Sequence, residues 1–143
     1  MEEKLTLSAF LKENSIEKLP VEYVASKRFV INGDPVAWKL RCLSNDELDE
    51  LTKKCTKNIP IKGTRDFKKE LDRSEFANQM AIKSVVFPDL NDADLQNSYG
   101  VVGAEDLLRA MLTPGEFADL ILAVNEASDY NSGMNDKIKT AKN

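Results

Sequence analysis

Three groups of side chains in this chain have the types and spacing that chemistry requires. Asp46-Glu47 and Glu105-Asp106 pair carboxylates that could divide acid and base roles, and Asp89-Leu90-Asn91-Asp92-Ala93-Asp94 sets oxygen ligands at the spacing that opens a calcium loop. Lys53, Lys54, Lys57, Lys62, Arg65, Lys68 and Lys69, against Asp66 alone, could meet phosphates. The chain contains no histidine, which removes the common general base, the serine and cysteine triads that depend on one, and imidazole metal ligation. Position then weakens the carboxylates: each pair falls in a first helical turn, where acids stabilise the helix start without any catalysis. The calcium pattern also fails, because its sixth position is Asp94 in place of glycine and its twelfth is Gly100 in place of glutamate. No glycine-rich phosphate loop is present. No catalytic residue, cofactor or metal is expected.

The elements that hold these residues are marked by a repeated grammar: an apolar residue, a capping residue, two positions, an acid, then a second apolar residue. It occurs at Leu43–Leu48, Leu71–Phe76, Leu90–Leu95, Val102–Leu107 and Leu112–Phe117. The cap satisfies free backbone N–H groups, the acid complements the dipole and the apolar pair closes as a staple. The first two predict helices running to about Cys55 and about Val86, the second ended by Pro88. A short helix is expected over Leu7–Glu13 after the cap Thr6, with Leu7, Phe10 and Leu11 on its apolar side. Val21 and Tyr23 alternate with polar neighbours. A β-hairpin is expected where Phe29-Val30-Ile31 and the alternating Val36, Trp38, Leu40 and Cys42 flank Asn32-Gly33-Asp34-Pro35, with Lys39 and Arg41 in solvent. Asn58–Lys69 reads as a loop or loosely held extended segment. The fold class is therefore α+β, with an N-terminal short helix and β-hairpin packed on a mainly α-helical C-terminal part. One globular domain over 1–128 and a mobile tail over 129–143 are expected.

Composition points to an interaction protein. At 143 residues, with 42% hydrophobic and 31% charged residues, the chain can build a core, and its longest aliphatic runs are far too short to cross a bilayer. Cys42 and Cys55 do not form a C-x-x-C pair and read as small core hydrophobes in a reducing cytosol. Residues 84–136 carry ten acids against Arg109, a net −9, whereas residues 1–83 carry a net +2. After Pro114, Phe117, Leu120, Ile121 and Val124 form a core stripe. Ala118, Leu122 and Ala123 widen it beyond one contact face, which leaves both a central core helix and a docking surface open.

Val86-Phe87-Pro88-Asp89-Leu90, Leu95, Tyr99-Gly100-Val101, Leu107-Leu108, Met111-Leu112 and Pro114-Gly115-Glu116-Phe117 resemble the XkdN-like tail assembly chaperones of Gram-positive prophages. Phe10-Leu11-Lys12-Glu13-Asn14, Gly33, Trp38-Lys39-Leu40-Arg41, Glu47 and Cys55 follow the same order, so the likeness runs over roughly residues 5–125. The resemblance implies a non-enzymatic phage protein of the host cytoplasm. Such a protein holds the long tape measure protein while tail tube subunits assemble, is absent from the mature virion, and has related systems that add a frameshifted longer product. Its partners would be the tape measure protein, the tail tube protein and further copies of itself. The expected partner-binding edge is Ala118 and Leu122, rimmed by Glu105, Asp106, Glu116 and Asp119. Two other classes stay open: a structural tail or head-completion component using the same helical faces, and a nucleic-acid-binding accessory protein using the basic stretch.

Overall fold

The computed structural model describes residues 6–130, so the tail expected over 129–143 lies outside the described residues except for its first two. The architecture is α+β. A three-stranded antiparallel sheet, in the order β1 (Val21–Tyr23), β4 (Trp38–Leu40), β7 (Val85–Phe87), is backed by five helices. The helices are α1 (Asn45–Cys55), α2 (Arg73–Ser84), α3 (Ala93–Ser98), α4 (Ala104–Met111) and α5 (Pro114–Ala127). Two small antiparallel ribbons project from this body: β2 (Val30–Ile31) with β3 (Asp34–Pro35), and β5 (Thr56–Pro60) with β6 (Phe67–Leu71).

Alternation along β4 decides the inside of the sheet: Trp38 and Leu40 are buried while Lys39 between them is exposed. They join Leu51, Met80, Ala81, Leu107, Leu108, Leu120 and Val124 in one core. Cys55 is buried as expected, whereas Cys42 is only half-buried. A hairpin turn forms within the expected Asn32–Pro35 stretch but takes only Asn32 and Gly33, with φ of 54° and 83°, the left-handed pair a two-residue hairpin requires, while Asp34–Pro35 is strand. Its strands differ from the expected ones. Pairing continues only as far as Val30↔Pro35, and Trp38–Leu40 leaves the hairpin to lie between β1 and β7, with Tyr23↔Trp38 and Leu40↔Val85 in register.

Four of the capping sites stand where the grammar put them. Ser44 and Thr113 form reciprocal capping boxes with Glu47 and Glu116, Asp72 accepts from the Glu75 N–H, and Gly103 precedes α4 at a φ of 97°. The remaining helix starts one residue late, because Asp92 in place of Asn91 caps α3 by accepting from the Leu95 N–H.

Three expectations are corrected. The helix read to about Val86 stops at Ser84, and Val85–Phe87 is a strand. The cause is tertiary: the Ser84 carbonyl accepts the Arg41 N–H at 2.8 Å, which captures the chain into the sheet without an intervening loop. The basic segment read as a loop or loosely held extended segment is extended but not loosely held: it is the β5–β6 ribbon, with five residue pairs from Thr56↔Leu71 to Pro60↔Phe67. Its base is fixed by the helices on either side, since the Asp72 N–H donates to the Cys55 carbonyl at 2.9 Å and Lys57 pairs with Asp72 at 2.8 Å. The N-terminal helix is replaced by two 3₁₀ turns, Leu7–Phe10 and Lys12–Asn14, with no buried residue in either.

The core contributes most of what holds these layers together. Truncating the fully buried Leu107 to alanine is expected to lower unfolding free energy by about 2–5 kcal/mol in urea titration. The same change at Val102, in the preceding loop and largely exposed, should stay within about 0.5 kcal/mol.

Candidate functional site

α5 is amphipathic in an unusual sense, because apolar residues occupy part of both sides. Leu120, Val124 and Ala127 are buried, and Phe117 and Ile121 are half-buried against the core. One helical turn apart on the outer side, Ala118 and Leu122 face solvent, and Leu122 is 61% exposed. Ala123, read as part of the same widening, is half-buried and lines a cleft with Val21 and Tyr23. Asp119 and Glu126 are exposed on the same helix.

The four acids expected as a rim do not form one. Glu116 is committed to the entry of α5, where its Oε1 accepts the Thr113 N–H at 2.9 Å and Arg28 Nη2 at 2.8 Å. Arg28 also donates to the Met111 carbonyl at 2.7 Å, so this guanidinium joins the end of α4 to the start of α5. Hydrogen bonds from the Ser26 hydroxyl, the Thr113 backbone and Arg28 hold the Glu116 carboxyl at about 2, below its ordinary range. Asp119 lies beside β1. The Tyr23 phenol is pushed up first by burial and then by the charges of Asp119 and Glu116.

Glu105 and Asp106 stand elsewhere. They open α4, whose other end meets Glu116, so roughly 10 Å of helix rise separates the two pairs. α4 and α5 pack on α2 in preference to one another, and the half-buried Glu105 accepts from Gln79 of α2 at 3.5 Å. Asp106 is exposed in that first turn.

Sequence reading missed Arg109 at the near end of α5. Its guanidinium lies 6.0 Å from the centre of the Phe117 ring, close to a cleft bounded by Leu112, Thr113 and Pro114. A cation therefore stands over Phe117 near the start of α5. The i, i+8 relation of Arg109 to Phe117 across the Thr113-Pro114 helix break carries no periodic signal, so nothing in the sequence pointed to the contact.

The seven basic residues of Lys53–Lys69 divide between the end of α1 and the β5–β6 ribbon, and Lys57 is paired with Asp72. Among the described residues, no group of three or more cysteine, aspartate or glutamate side chains is placed to hold a metal ion. No described helix is long and apolar enough to cross a membrane.

An outer apolar strip on a capped helix, with charged neighbours, has the form of a surface for another protein. The model of the phage XkdN-like tail assembly chaperone family matches residues 7–142. The chain belongs to this family. Its tail assembly role follows from that membership. A solved structure described as the crystal structure of the protein yqbn is similar to this chaperone, with a TM-score of 0.73 and 26% identity. The likeness covers 89% of this chain and 98% of that one. Comparison with curated proteins gives no match.

The chaperone's Glu116 makes its stability depend on pH. The folded carboxyl titrates near 2 and an unperturbed one near 4.5, so its contribution is complete above about pH 5 and is lost as pH falls through 2. In urea titrations, the drop in midpoint between pH 6 and pH 3 should be smaller for Glu116→Gln than for the wild-type chain, whereas Leu122→Glu should leave the midpoint at pH 7 unchanged.

Proposed function

We propose that this tail assembly chaperone is non-enzymatic and acts by binding an apolar helical segment of the tape measure protein through Ala118 and Leu122 of α5. It does so in the host cytoplasm while tail tube subunits assemble, and it is absent from the mature virion. The observation that carries the reading is Leu122: a large apolar side chain 61% exposed on a helix whose opposite side is fully closed by Leu120 and Val124. Leaving it in water costs solubility and gives nothing to the fold, and a helix-in-groove or helix-on-helix partner recovers that surface.

The neighbouring groups suit reversible holding. Asp119 and Glu126 keep the strip wetted when it is empty, and Arg109 over Phe117 adds a cation for an acidic flank of the bound helix. Glu105, Asp106 and Glu116 are better assigned to the helix starts than to the rim of this strip.

Co-expression with the tape measure protein of the same phage tests the assignment. Affinity capture is expected to fall at least about tenfold for Leu122→Glu, as for a central apolar anchor, and less for Leu122→Ala. Unchanged capture by a folded Leu122→Glu chain overturns it. Mass spectrometry of purified particles should find the chain missing, while its presence there at fixed stoichiometry would make it a structural tail component instead.

A further inference from the structure

The two edges of the β5–β6 ribbon differ in what their backbones offer. At its base the Asp72 N–H donates to the Cys55 carbonyl at 2.9 Å, and at its tip the Ile61 N–H donates to the Asp66 carbonyl at 3.0 Å. Bonded and unbonded pairs alternate along an antiparallel ladder. Counted from either end, Lys57↔Glu70 and Ile59↔Lys68 bond across the ribbon, while Asn58↔Lys69 and Pro60↔Phe67 turn their backbone groups outward. On β5 one of these outward positions is Pro60, which has no N–H to offer. On β6 Phe67 and Lys69 each present an N–H and a carbonyl, and among the described residues no strand pairs with that edge. One edge is interrupted and the other is complete.

The complete edge is also basic, and its charges are uncommitted. Phe67, Lys68, Lys69 and Glu70 are all exposed, Phe67 at 62%. Lys57 is paired with Asp72, but Lys62, Arg65, Lys68 and Lys69 make no ion pair among the described residues. These cations lie along β6 and in the turn that leads into it, with only Asp66 and Glu70 as acids among them. A second basic edge is repelled here, whereas an acidic strand is attracted.

We infer that the β6 edge takes up an extended, acidic peptide segment of another protein as a third strand of the ribbon. The outward N–H and carbonyl groups of Phe67 and Lys69 bond the incoming main chain. Its acidic side chains meet Lys68 on one face of the ribbon and Lys69 on the other, and Phe67, on the same face as Lys69, covers an apolar neighbour. Nucleic acid fits this edge less well. Phosphates accept from the two N–H groups but donate nothing to the two carbonyls, and Phe67 is the only aromatic side chain in the ribbon for a base to stack on.

NMR titration of the isotope-labelled full chain with a peptide of alternating threonine and glutamate, as long as β6, tests this. The Phe67 and Lys69 amide signals are expected to move most, and those of Lys68 and Glu70 less, because the latter already bond to β5. Lys68→Glu combined with Lys69→Glu should weaken binding at least about tenfold. Both positions are exposed, so the core is untouched, and a threonine–lysine peptide should bind this variant in place of the acidic one. The acidic peptide methylated at every backbone nitrogen keeps its charge, loses its main-chain donors and should not bind. Still Phe67 and Lys69 signals, equal binding of the methylated peptide, or tighter binding of a single-stranded oligonucleotide of the same charge would each overturn the inference. Leu122→Glu should leave the titration unchanged, so capture of tape measure protein and uptake of this peptide fail separately.

Discussion

A reciprocal pair of hydrogen bonds between Arg41 and Ser84 ties the layers of this protein together. The Arg41 N–H donates to the Ser84 carbonyl, and the Ser84 hydroxyl, fully buried, donates back to the Arg41 carbonyl, both at 2.8 Å. Through the backbone this pair fixes the exit of β4 against the junction of α2 and β7. Through the side chain it reaches further, since the Arg41 guanidinium binds both oxygens of Glu47, the residue that completes the α1 capping box. Arg41 therefore orients a strand edge and a helix start together. The Glu47 carboxyl is held at about 2, chiefly by its bond to Arg41, with Ser44 adding to the effect. A buried serine with both bonding needs met also explains why α2 can pass into β7 with no turn residues between them.

Much of the helical part was legible because its signals are local. Ser44, Asp72, Gly103 and Thr113 each cap where a cap was expected, since a side-chain oxygen or a glycine at that position acts within one turn of chain. At Asn91-Asp92 two adjacent residues can both cap, and the local grammar could not choose between them. The alternation of Trp38 and Leu40 with Lys39 was equally plain, although which strands flank it was not. β7 was misread because Val85 and Val86 continue a helical apolar pattern, and only the distant Arg41 N–H ends it. The β5–β6 pairing was not legible for another reason, although an extended segment was one of two readings there: Lys57, Asn58, Pro60, Lys68 and Lys69 are poor strand formers, and pairing is imposed by the anchored ends of α1 and α2.

The candidate binding face divides in the same way. Leu122 could be found from sequence because a stripe broader than a single contact face is a property of one helix. The dispersal of Glu105 and Asp106 away from Glu116 and Asp119 depends on α4 and α5 both choosing α2 as their neighbour, a decision made by the whole core. The N-terminal 3₁₀ turns show the converse error. Leu7, Phe10 and Leu11 at helical spacing look like a face turned to the core, but spacing alone cannot reveal that no core lies opposite them.

The β5–β6 ribbon has a bearing on how this chain survives at high concentration. Among the described residues it is a two-strand structure with no strand paired to either outer edge, a form that invites edge-to-edge stacking into fibrils. Its strands carry Lys57, Lys68 and Lys69, and Pro60 removes a donor from one of them. Like charges meeting at close range and a missing N–H oppose a growing stack of such edges. A chain with apolar side chains as exposed as Leu122 thereby carries a guard against edge-to-edge stacking in this ribbon.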